Sequence, residues 1–542
     1  MQRIAIVGAG PTGIYTLAAL IEHKTPMAIS VYEAGAQAGV GMPFEEDKNH
    51  QLMLANIASI EIPPLTCSYL DWLLEQPATF LQRYAVDKTS MHERQFLPRV
   101  LLGHYFRDQF LALVTIGQSR GHQIAIYEGC EVTDITAKGG IGLWTKKQPD
   151  KICYDRLVIA TGHVWPSPID NKPKYFPSPW SGLIGTHIPA STVGIMGTSL
   201  SGIDAAMAVA VQHGQFHEQP GHVDNTLRFE CNSASTNLKI SLMSRSGLLP
   251  EADFYCPIPH ESLTIVTTET IARQIEAGPE NLLDRVFTLI AQELALCDPE
   301  WSTAIDLPGL NADTFAEAYF SDRAKRNPFN WARHNLEEVV HNKQSKHTVP
   351  WRYALLRLHS AVQEIVPHLN ERDQERFNQG LKRIFIDNYA AVPPESIRRL
   401  LALRNAGVIE VQALGENYHM NIGSKETVIT TTDNTLHFEI FIDARGQKPL
   451  DLTDLPFPRL RKQLLASGDE LPQLEDDYTL VSPAVAKHRI TLAALPFLMH
   501  DKPFVQGITV CAEIGKTIGS SINPSKAEVL GEIPTEAGLP SQ

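Results

Sequence analysis

Apolar runs of strand length alternate with helix-spaced segments along much of the chain. Residues 3–7 form a short, mostly β-branched run, and a second run covers 28–32. Between them, the apolar residues of 14–21 recur three and four positions apart, which is typical of an amphipathic helix, whereas the short runs are typical of buried strands. The order strand, helix, strand predicts a parallel sheet covered by helices.

The same pattern returns after a proline-rich stretch at 166–179. A run at 192–196 leads into a helix-like segment at 203–211, and the next run arrives at 238–243. The intervening polar segment, 213–237, is predicted to be a loop. A second unit of strands and helices is therefore expected.

Helical spacing dominates from 262 to 405, where apolar residues share single faces and charges lie elsewhere. This pattern predicts a helical insertion with its own core. Strand-like runs resume at 408–411, and another run covers 438–443. A small-residue segment at 512–518 predicts a final helix.

A glycine-rich turn follows the first run of the chain. Gly8, Gly10 and Gly13 form G-x-G-x-x-G, and Glu33 follows the second run. Gly8 permits the tight turn, Gly10 lets the backbone approach a pyrophosphate, and Gly13 lets the helix pack closely on the strand. The helix N–H groups would face the phosphates, and Glu33 would accept hydrogen bonds from ribose hydroxyls. These residues predict a dinucleotide site.

The second unit carries a related turn from Gly197 to Gly202, with Ser199 at the middle glycine position. A serine there still allows a close turn, and its hydroxyl can donate to a phosphate. Arg245 follows the second strand of this unit, where NAD-specific folds place an acid. Because a planar guanidinium can bind a 2′-phosphate bidentately, we predict NADPH as the preferred nucleotide, with NADH as the alternative.

Composition and charge remove several functional classes. The 542 residues carry a formal net charge of −14, which argues against nonspecific nucleic-acid binding. No apolar run approaches the roughly 18 residues that span a bilayer, and the first motif leaves no room for a targeting peptide, so we expect a cytoplasmic protein without a membrane partner. The seven cysteines include no C-x-x-C pair and the histidines lack metal-ligand spacing. No metal site is expected.

The motifs occur in a fixed order along the chain. The first glycine turn precedes a strand ending at 160–162, and the second turn precedes a strand ending at 443–446. This order resembles the flavoproteins with two dinucleotide-binding domains, in which an NAD(P)H domain is inserted into an FAD domain. Class B flavin monooxygenases and microbial N-hydroxylases are similar more distantly. The segments that resemble the YdhS-type FAD/NAD(P)-binding proteins of enteric bacteria are 54–64, 160–166, 195–202 and 250–257.

The resemblance implies an α/β fold with two Rossmann-like dinucleotide-binding domains, the FAD domain being split by the NAD(P) domain, plus the helical insertion. We expect that insertion to cover or shape the site. The implied segments are 1–168 and 441–525 for the FAD-binding domain, 190–261 and 406–440 for the NAD(P)-binding domain, 262–405 for the helical insertion, and 526–542 for a tail.

The resemblance also implies cofactor contacts at matching positions. Asn56 and Arg99 are expected near the flavin, although a capping amide explains Asn56 equally well and a surface ion pair explains Arg99. The final helix, starting near Cys511 with Glu513 in its first turn, would aim its N-terminus at the flavin. The other residues expected to contact FAD are Gly8, Gly10, Pro11, Thr12, Gly13, Glu33, Val132, Thr161, Gly162 and Gly507. Those expected to contact NADPH are Gly197, Ser199, Leu200, Ser201, Gly202 and Arg245.

Hydride transfer from a nicotinamide to a flavin requires little from a protein beyond stacking and exclusion of water. The sequence shows no acid–base pair, so it assigns no catalytic residue. Three functions stay open. The first is an FAD-dependent monooxygenase that hydroxylates an amine or another soft nucleophile of a small molecule. The others are an NAD(P)H:acceptor reductase and a non-catalytic redox sensor that holds both nucleotides. The missing C-x-x-C disfavours a disulfide as the acceptor. The sequence indicates neither the substrate nor the oligomeric state.

Overall fold

Parallel strands and covering helices make up most of the molecule. The computed structural model describes residues 1–166, 172–218, 227–505 and 507–522. The strands are β1 (Gln2–Val7), β2 (Met27–Tyr32), β3 (Gln123–Tyr127), β4 (Val132–Thr136), β5 (Gly142–Thr145), β6 (Gln148–Cys153), β7 (Arg156–Ile159), β8 (Tyr175–Phe176), β9 (Thr192–Met196), β10 (Gly214–Glu218), β11 (Leu227–Cys231), β12 (Lys239–Ser244), β13 (Ile409–Ala413), β14 (His419–Ile422), β15 (Thr427–Thr430), β16 (Thr435–Phe438), β17 (Ile440–Asp443) and β18 (Ile490–Leu492).

Helices occupy the connections and the middle of the chain. They are α1 (Pro11–Leu20), α2 (Tyr69–Glu75), α3 (Ala78–Gln82), α4 (Arg99–Ser119), α5 (Leu200–Ala210), α6 (Thr268–Glu276), α7 (Leu282–Cys297), α8 (Pro299–Ala304), α9 (Phe315–Lys325), α10 (Pro328–Ser345), α11 (Pro350–Ile365), α12 (Glu371–Gln379), α13 (Leu381–Tyr389), α14 (Pro394–Asn405), α15 (Pro458–Leu465) and α16 (Gly507–Ser521). Among the residues described, no helix is both long and apolar enough to cross a membrane.

The first sheet is parallel and has the strand order β18-β7-β1-β2-β3. Its central strand β1 is buried from Ile4 to Val7, as expected for a parallel strand that is covered on both faces. Helices α1 and α16 pack together closely because a glycine lies between them. A Cβ atom on Gly515 would lie 2.6 Å from the backbone carbon of Tyr15. The last strand, β18, had no counterpart in the sequence prediction.

The second sheet is also parallel, with the order β13-β12-β9-β17-β8. This arrangement corrects the predicted boundary at residue 441, because β17 pairs with β9 from Ile440↔Val193 to Asp443↔Met196. The chain completes the second sheet before it crosses back to the first domain. The short edge strand β8 likewise lies between the predicted segments 1–168 and 190–261.

Two further regions differ from the prediction. The segment 213–237, predicted to be a loop, contains the antiparallel pair β10–β11. Its strands alternate exposed polar residues with packed aromatic ones, such as Phe229, so the pair lacks the continuous apolar run of a central strand. Helix α14, which the prediction placed in the insertion, belongs to the core of the second domain. It provides the crossover that a parallel connection into β13 requires.

The helical insertion nevertheless has a core of its own. Most of its buried residues come from α6, α7, α9, α11, α12 and α13, and Phe504 of the first domain joins them. The remaining predicted boundaries stay predictions, and the tail predicted for 526–542 lies outside the described residues.

Candidate functional site

The turn after β1 is built so that only glycine fits at two positions. Gly8 has a φ of +101°, and a Cβ atom there would lie 2.2 Å from the carbonyl oxygen of Ala160. A Cβ atom on Gly13 would lie 2.2 Å from the carbonyl oxygen of Gly8. The turn is therefore pressed against the end of β7 on one side and against α1 on the other.

The amino end of α1 is left open by this turn. Gly10 is the N-cap and has no side chain that could cap the helix, and Pro11 follows at the first helical position. The first N–H groups of the helix therefore remain available to an anion, as in phosphate-binding helix termini.

Glu33 is fixed beside this helix end by two backbone groups. The Ala9 N–H donates to Oε2 of Glu33 at 3.0 Å, and the Gly35 N–H donates to Oε1 at 2.7 Å. A carboxylate has about four lone-pair sites, so both oxygens can still accept hydrogen bonds from ribose hydroxyls. The residues of the first turn thus fit the adenosine and pyrophosphate part of a dinucleotide.

The turn after β9 repeats the same construction. Gly197 has a φ of +131°, and a Cβ atom there would lie 2.8 Å from the carbonyl oxygen of Ala444. A Cβ atom on Gly202 would lie 2.3 Å from the carbonyl oxygen of Gly197. Ser199 is the N-cap of α5 and makes no side-chain capping hydrogen bond. Its position corresponds to that of Gly10. Since no described side chain caps this terminus, the Ser199 hydroxyl and the helix N–H groups can bind a second anion.

Both turns open on one cavity of about 1160 Å³. Pockets for one small ligand are usually about 300–1,000 Å³, so this cavity has room for more than one. The predicted residues that line it are Gly8, Gly10, Pro11, Thr12, Glu33, Asn56, Arg99, Val132, Thr161, Gly162, Ser199, Leu200, Ser201 and Gly507. The predicted residues outside its lining are Gly13, Gly197, Gly202, Arg245 and Glu513.

Arg99 joins the two domains through a buried ion pair. Its Nη2 lies 2.6 Å from Oδ2 of Asp204 in α5, and the side chains are 8% and 5% exposed. The alternative explanation, that Arg99 forms a surface ion pair, is therefore wrong: Arg99 does form an ion pair, but the pair is buried. Burial raises the pKa of Asp204, and the Arg99 guanidinium acts in the opposite direction.

Arg245 directly follows β12, at the carboxyl ends of the strands of the second sheet, where the Gly197 turn also begins. The Gly197 N–H donates to the carbonyl oxygen of Met243, two residues before Arg245, at 2.7 Å. Nη1 of Arg245 lies 3.2 Å from Oε2 of Glu416, and both side chains are mainly exposed. An exposed pair of this kind is weak, so Arg245 can exchange Glu416 for another anion.

The final helix begins earlier than predicted. α16 starts at Gly507, which lines the cavity. Glu513 is therefore not in the first turn, and its side chain is exposed and outside the cavity lining. Cys511 does line the cavity, but burial raises its pKa to about 11. That value does not suit a reactive thiolate.

Several cavity residues were not predicted. Trp165 follows the Thr161-Gly162 turn, and its ring lies 4.5 Å from that of Trp180. Nε1 of Trp165 and Nδ1 of His163 are buried without a hydrogen-bond partner among the described residues. Lys382 and Tyr389 reach the cavity from the insertion. His163 and Trp165 stand directly after a predicted cofactor turn, which was a usable signal, whereas the two insertion residues belong to no local motif.

Candidate metal ligands were sought in residues 1–166, 172–218, 227–505 and 507–522. Among those residues, no group of three or more histidine, cysteine, aspartate or glutamate side chains could hold a metal ion.

Comparisons with known proteins agree with this architecture. Residues 5–164 match an FAD-NAD(P)-binding family model, and residues 267–389 match a model described as a YdhS-like middle domain. The protein YdhS of Escherichia coli (strain K12) is 56% identical over 523 residues, which is 96% of this chain and 97% of that protein.

Solved structures of flavin enzymes share the fold at low sequence identity. The ornithine N-hydroxylase of Kutzneria sp. 744 is 14% identical with a TM-score of 0.51, and the match covers 96% of this chain and 99% of that one. L-lysine 6-monooxygenase from Pseudomonas syringae is 13% identical with a TM-score of 0.51, and the match covers 96% of this chain and 100% of that one.

Proposed function

The chain belongs to the YdhS family of FAD/NAD(P)-binding proteins, and on that premise we propose that it is an FAD-dependent NAD(P)H oxidoreductase. The observation that carries the proposal is the pair of matched turns, Gly8–Gly13 and Gly197–Gly202, which open on one cavity. A nicotinamide can reduce a flavin only when the two rings meet, so two nucleotide sites facing one cavity favour transfer between them.

The residues divide between two nucleotides. In this proposal the α1 terminus at Gly10 holds the FAD pyrophosphate, and Glu33 holds the ribose of its adenosine. The α5 terminus at Ser199 holds the phosphates of NADPH, and Arg245 binds the 2′-phosphate. Bound FAD would supply the hydride acceptor, and the chain's own residues would bind, orient and exclude water.

The finer proposal is a monooxygenase-like enzyme that hydroxylates a small molecule. The likeness to ornithine and lysine hydroxylases supports a fold suited to such chemistry. The cysteines support it against a disulfide reductase, because Cys130 and Cys511 both line the cavity but are buried. Desolvation of Cys511 works against the thiolate that disulfide exchange requires.

Stopped-flow absorbance tests both levels of the proposal. Purified protein with bound FAD is mixed anaerobically with NADPH, and loss of the visible absorbance of oxidised flavin is expected. Oxygen is then added. A slow phase with near-ultraviolet absorbance before oxidised FAD returns is expected for the hydroxylase.

Other outcomes identify the alternatives. Immediate return of oxidised FAD with stoichiometric peroxide would contradict the hydroxylase and leave an oxidoreductase with another acceptor. Bound FAD that neither NADPH nor NADH reduces would contradict the enzyme altogether and favour a non-catalytic sensor.

A further inference from the structure

Helix α13 of the insertion presents one face to the cavity. Lys382, Ile386 and Tyr389 line it, and their spacing of four and three residues places them on one side of the helix. Ile384 and Phe385, on the other side, are buried in the core of the insertion. The insertion therefore forms part of the cavity wall instead of a separate body.

A buried charge network holds α13 in this position. Asp387 accepts hydrogen bonds from Oη of Tyr319 at 3.1 Å and from Nη1 of Arg323 at 3.0 Å. Glu251 of the second domain lies 3.5 Å from Nη1 of Arg323 and 2.9 Å from Nε of Arg352. The charged side chains of these ion pairs are at most 13% exposed. Moving α13 would break buried ion pairs, which is costly.

The carboxyl end of α13 lies beside the start of α16. The ring of Tyr389 is 5.9 Å from that of Phe504, three residues before α16 begins at Gly507. Tyr389 and Gly507 both line the cavity. The α13 wall thus adjoins the cavity end where α16 begins.

Lys382 differs from the other cations of the cavity. Arg99 and Arg445 each pair with an aspartate, at 2.6 Å in both cases, and Lys448 is exposed. Lys382 is half-buried, and its ammonium donates only to Oδ1 of Asn378, at 3.1 Å, among the residues described. Desolvation lowers the pKa of Lys382. A bound anion would offset that cost of burial.

In the proposed function, neither nucleotide is assigned to this ammonium. Their phosphates would bind to the amino ends of α1 and α5, at Gly10 and Ser199. The same cavity also offers the paired rings of Trp165 and Trp180, and the indole N–H of Trp165 has no hydrogen-bond partner within the described part of the chain. Aromatic faces of this kind bind apolar or planar groups, and together these features suit a third ligand that is both apolar and anionic.

Building on the proposed oxidoreductase function, we propose that α13 completes a substrate site and that Lys382 binds the carboxylate of a small apolar or aromatic organic acid. The ammonium of Lys382 is the anion-binding group, and the insertion determines which substrate the flavin site accepts.

Calorimetric titration of the FAD-containing protein tests this site with benzoate and its neutral isostere benzamide. Benzoate is expected to bind about tenfold more tightly or better, because a hydrogen bond between two charged groups is stronger than one to a neutral amide. Lys382→Met should remove that advantage and leave benzamide binding unchanged, and Lys382→Arg should retain much of it.

Lys325→Met is the matched control. Lys325 is also a helical lysine of the insertion, and its Nζ donates to the side chain four residues earlier, Ser321, at 3.3 Å. It is exposed and outside the cavity lining, so its substitution should change neither titration.

Equal binding of benzoate and benzamide, absence of benzoate binding, or full benzoate affinity in Lys382→Met would overturn the inference. So would an effect of Lys382→Met on the KM for NADPH without an effect on benzoate, because Lys382 would then bind a nucleotide phosphate. The heat of benzoate binding needs no flavin reduction. A failure here with normal flavin bleaching removes only the carboxylate site, whereas absent bleaching removes the proposed function.

Discussion

Removing one partner of the buried ion pair between Arg99 and Asp204 is expected to cost far more stability than removing one partner of an exposed pair of equal length. The buried pair spans 2.6 Å with side chains 8% and 5% exposed. Arg99→Met would leave the Asp204 carboxylate buried without its partner, which should cost about 3–5 kcal/mol. Arg120 and Glu22 are also 2.6 Å apart but 43% and 68% exposed, so Arg120→Met should cost about 0–1 kcal/mol.

Removing both charges separates the ion pair from other roles of Arg99. The double variant Arg99→Met/Asp204→Leu replaces the pair with apolar side chains, and it should recover most of the loss of the single variant. The measurement is the free energy of unfolding from urea titration followed by circular dichroism, with and without added FAD.

Three results would refute this account of Arg99. The first is a cost below about 1 kcal/mol for Arg99→Met. The second is a double variant no more stable than the single one. The third is a loss of stability that appears only in the presence of FAD, which would make Arg99 a flavin contact instead of a link between domains.

Further predictions concern the nucleotides and the pH dependence. Arg245→Ala should raise the KM for NADPH about tenfold or more and leave that for NADH unchanged; equal effects on both would contradict a 2′-phosphate contact. Glu33→Gln should weaken FAD binding about tenfold in a fluorescence titration without unfolding the protein, and unchanged affinity would remove its ribose role. Burial lowers the pKa of His213 from 6.5, so its contribution to stability is present above about pH 6.5 and is lost as the pH falls below that value. His213→Gln should flatten the fall in unfolding free energy in this range, and an unaltered slope would contradict the assignment.

The nucleotide turns could be predicted because their requirements are local. Gly8 and Gly13 must lack side chains for the strand, turn and helix to fit, and the sequence displays that requirement within a few residues. Gly197 and Gly202 repeat it closely enough that Ser199 did not hide the pattern. The family comparisons show the FAD/NAD(P)-binding domain that the first turn indicated.

The rest of the site depends on contacts between distant parts of the chain. Asp204 lies 105 positions from Arg99, and no local pattern pairs them. Lys382 stands in an ordinary amphipathic helix, and packing and ion pairs with distant residues, such as those of Glu251, hold that helix at the cavity. The start of α16 was misplaced because helix ends are the least certain part of a pattern. Glu513 consequently lies beyond the first turn of α16, in which the sequence analysis places it.

The central claim is that one cavity brings NADPH to FAD, and anaerobic reduction of the bound flavin tests it most directly. NADPH should bleach the FAD of the unaltered protein. Ser199→Asp should keep bound FAD and a capped helix, since aspartate is a good N-cap, but its charge should slow bleaching about tenfold or more at low NADPH by repelling the phosphates. Ser199→Ala should have a much smaller effect. FAD that neither NADPH nor NADH bleaches, or bleaching that Ser199→Asp leaves unchanged, would contradict the account.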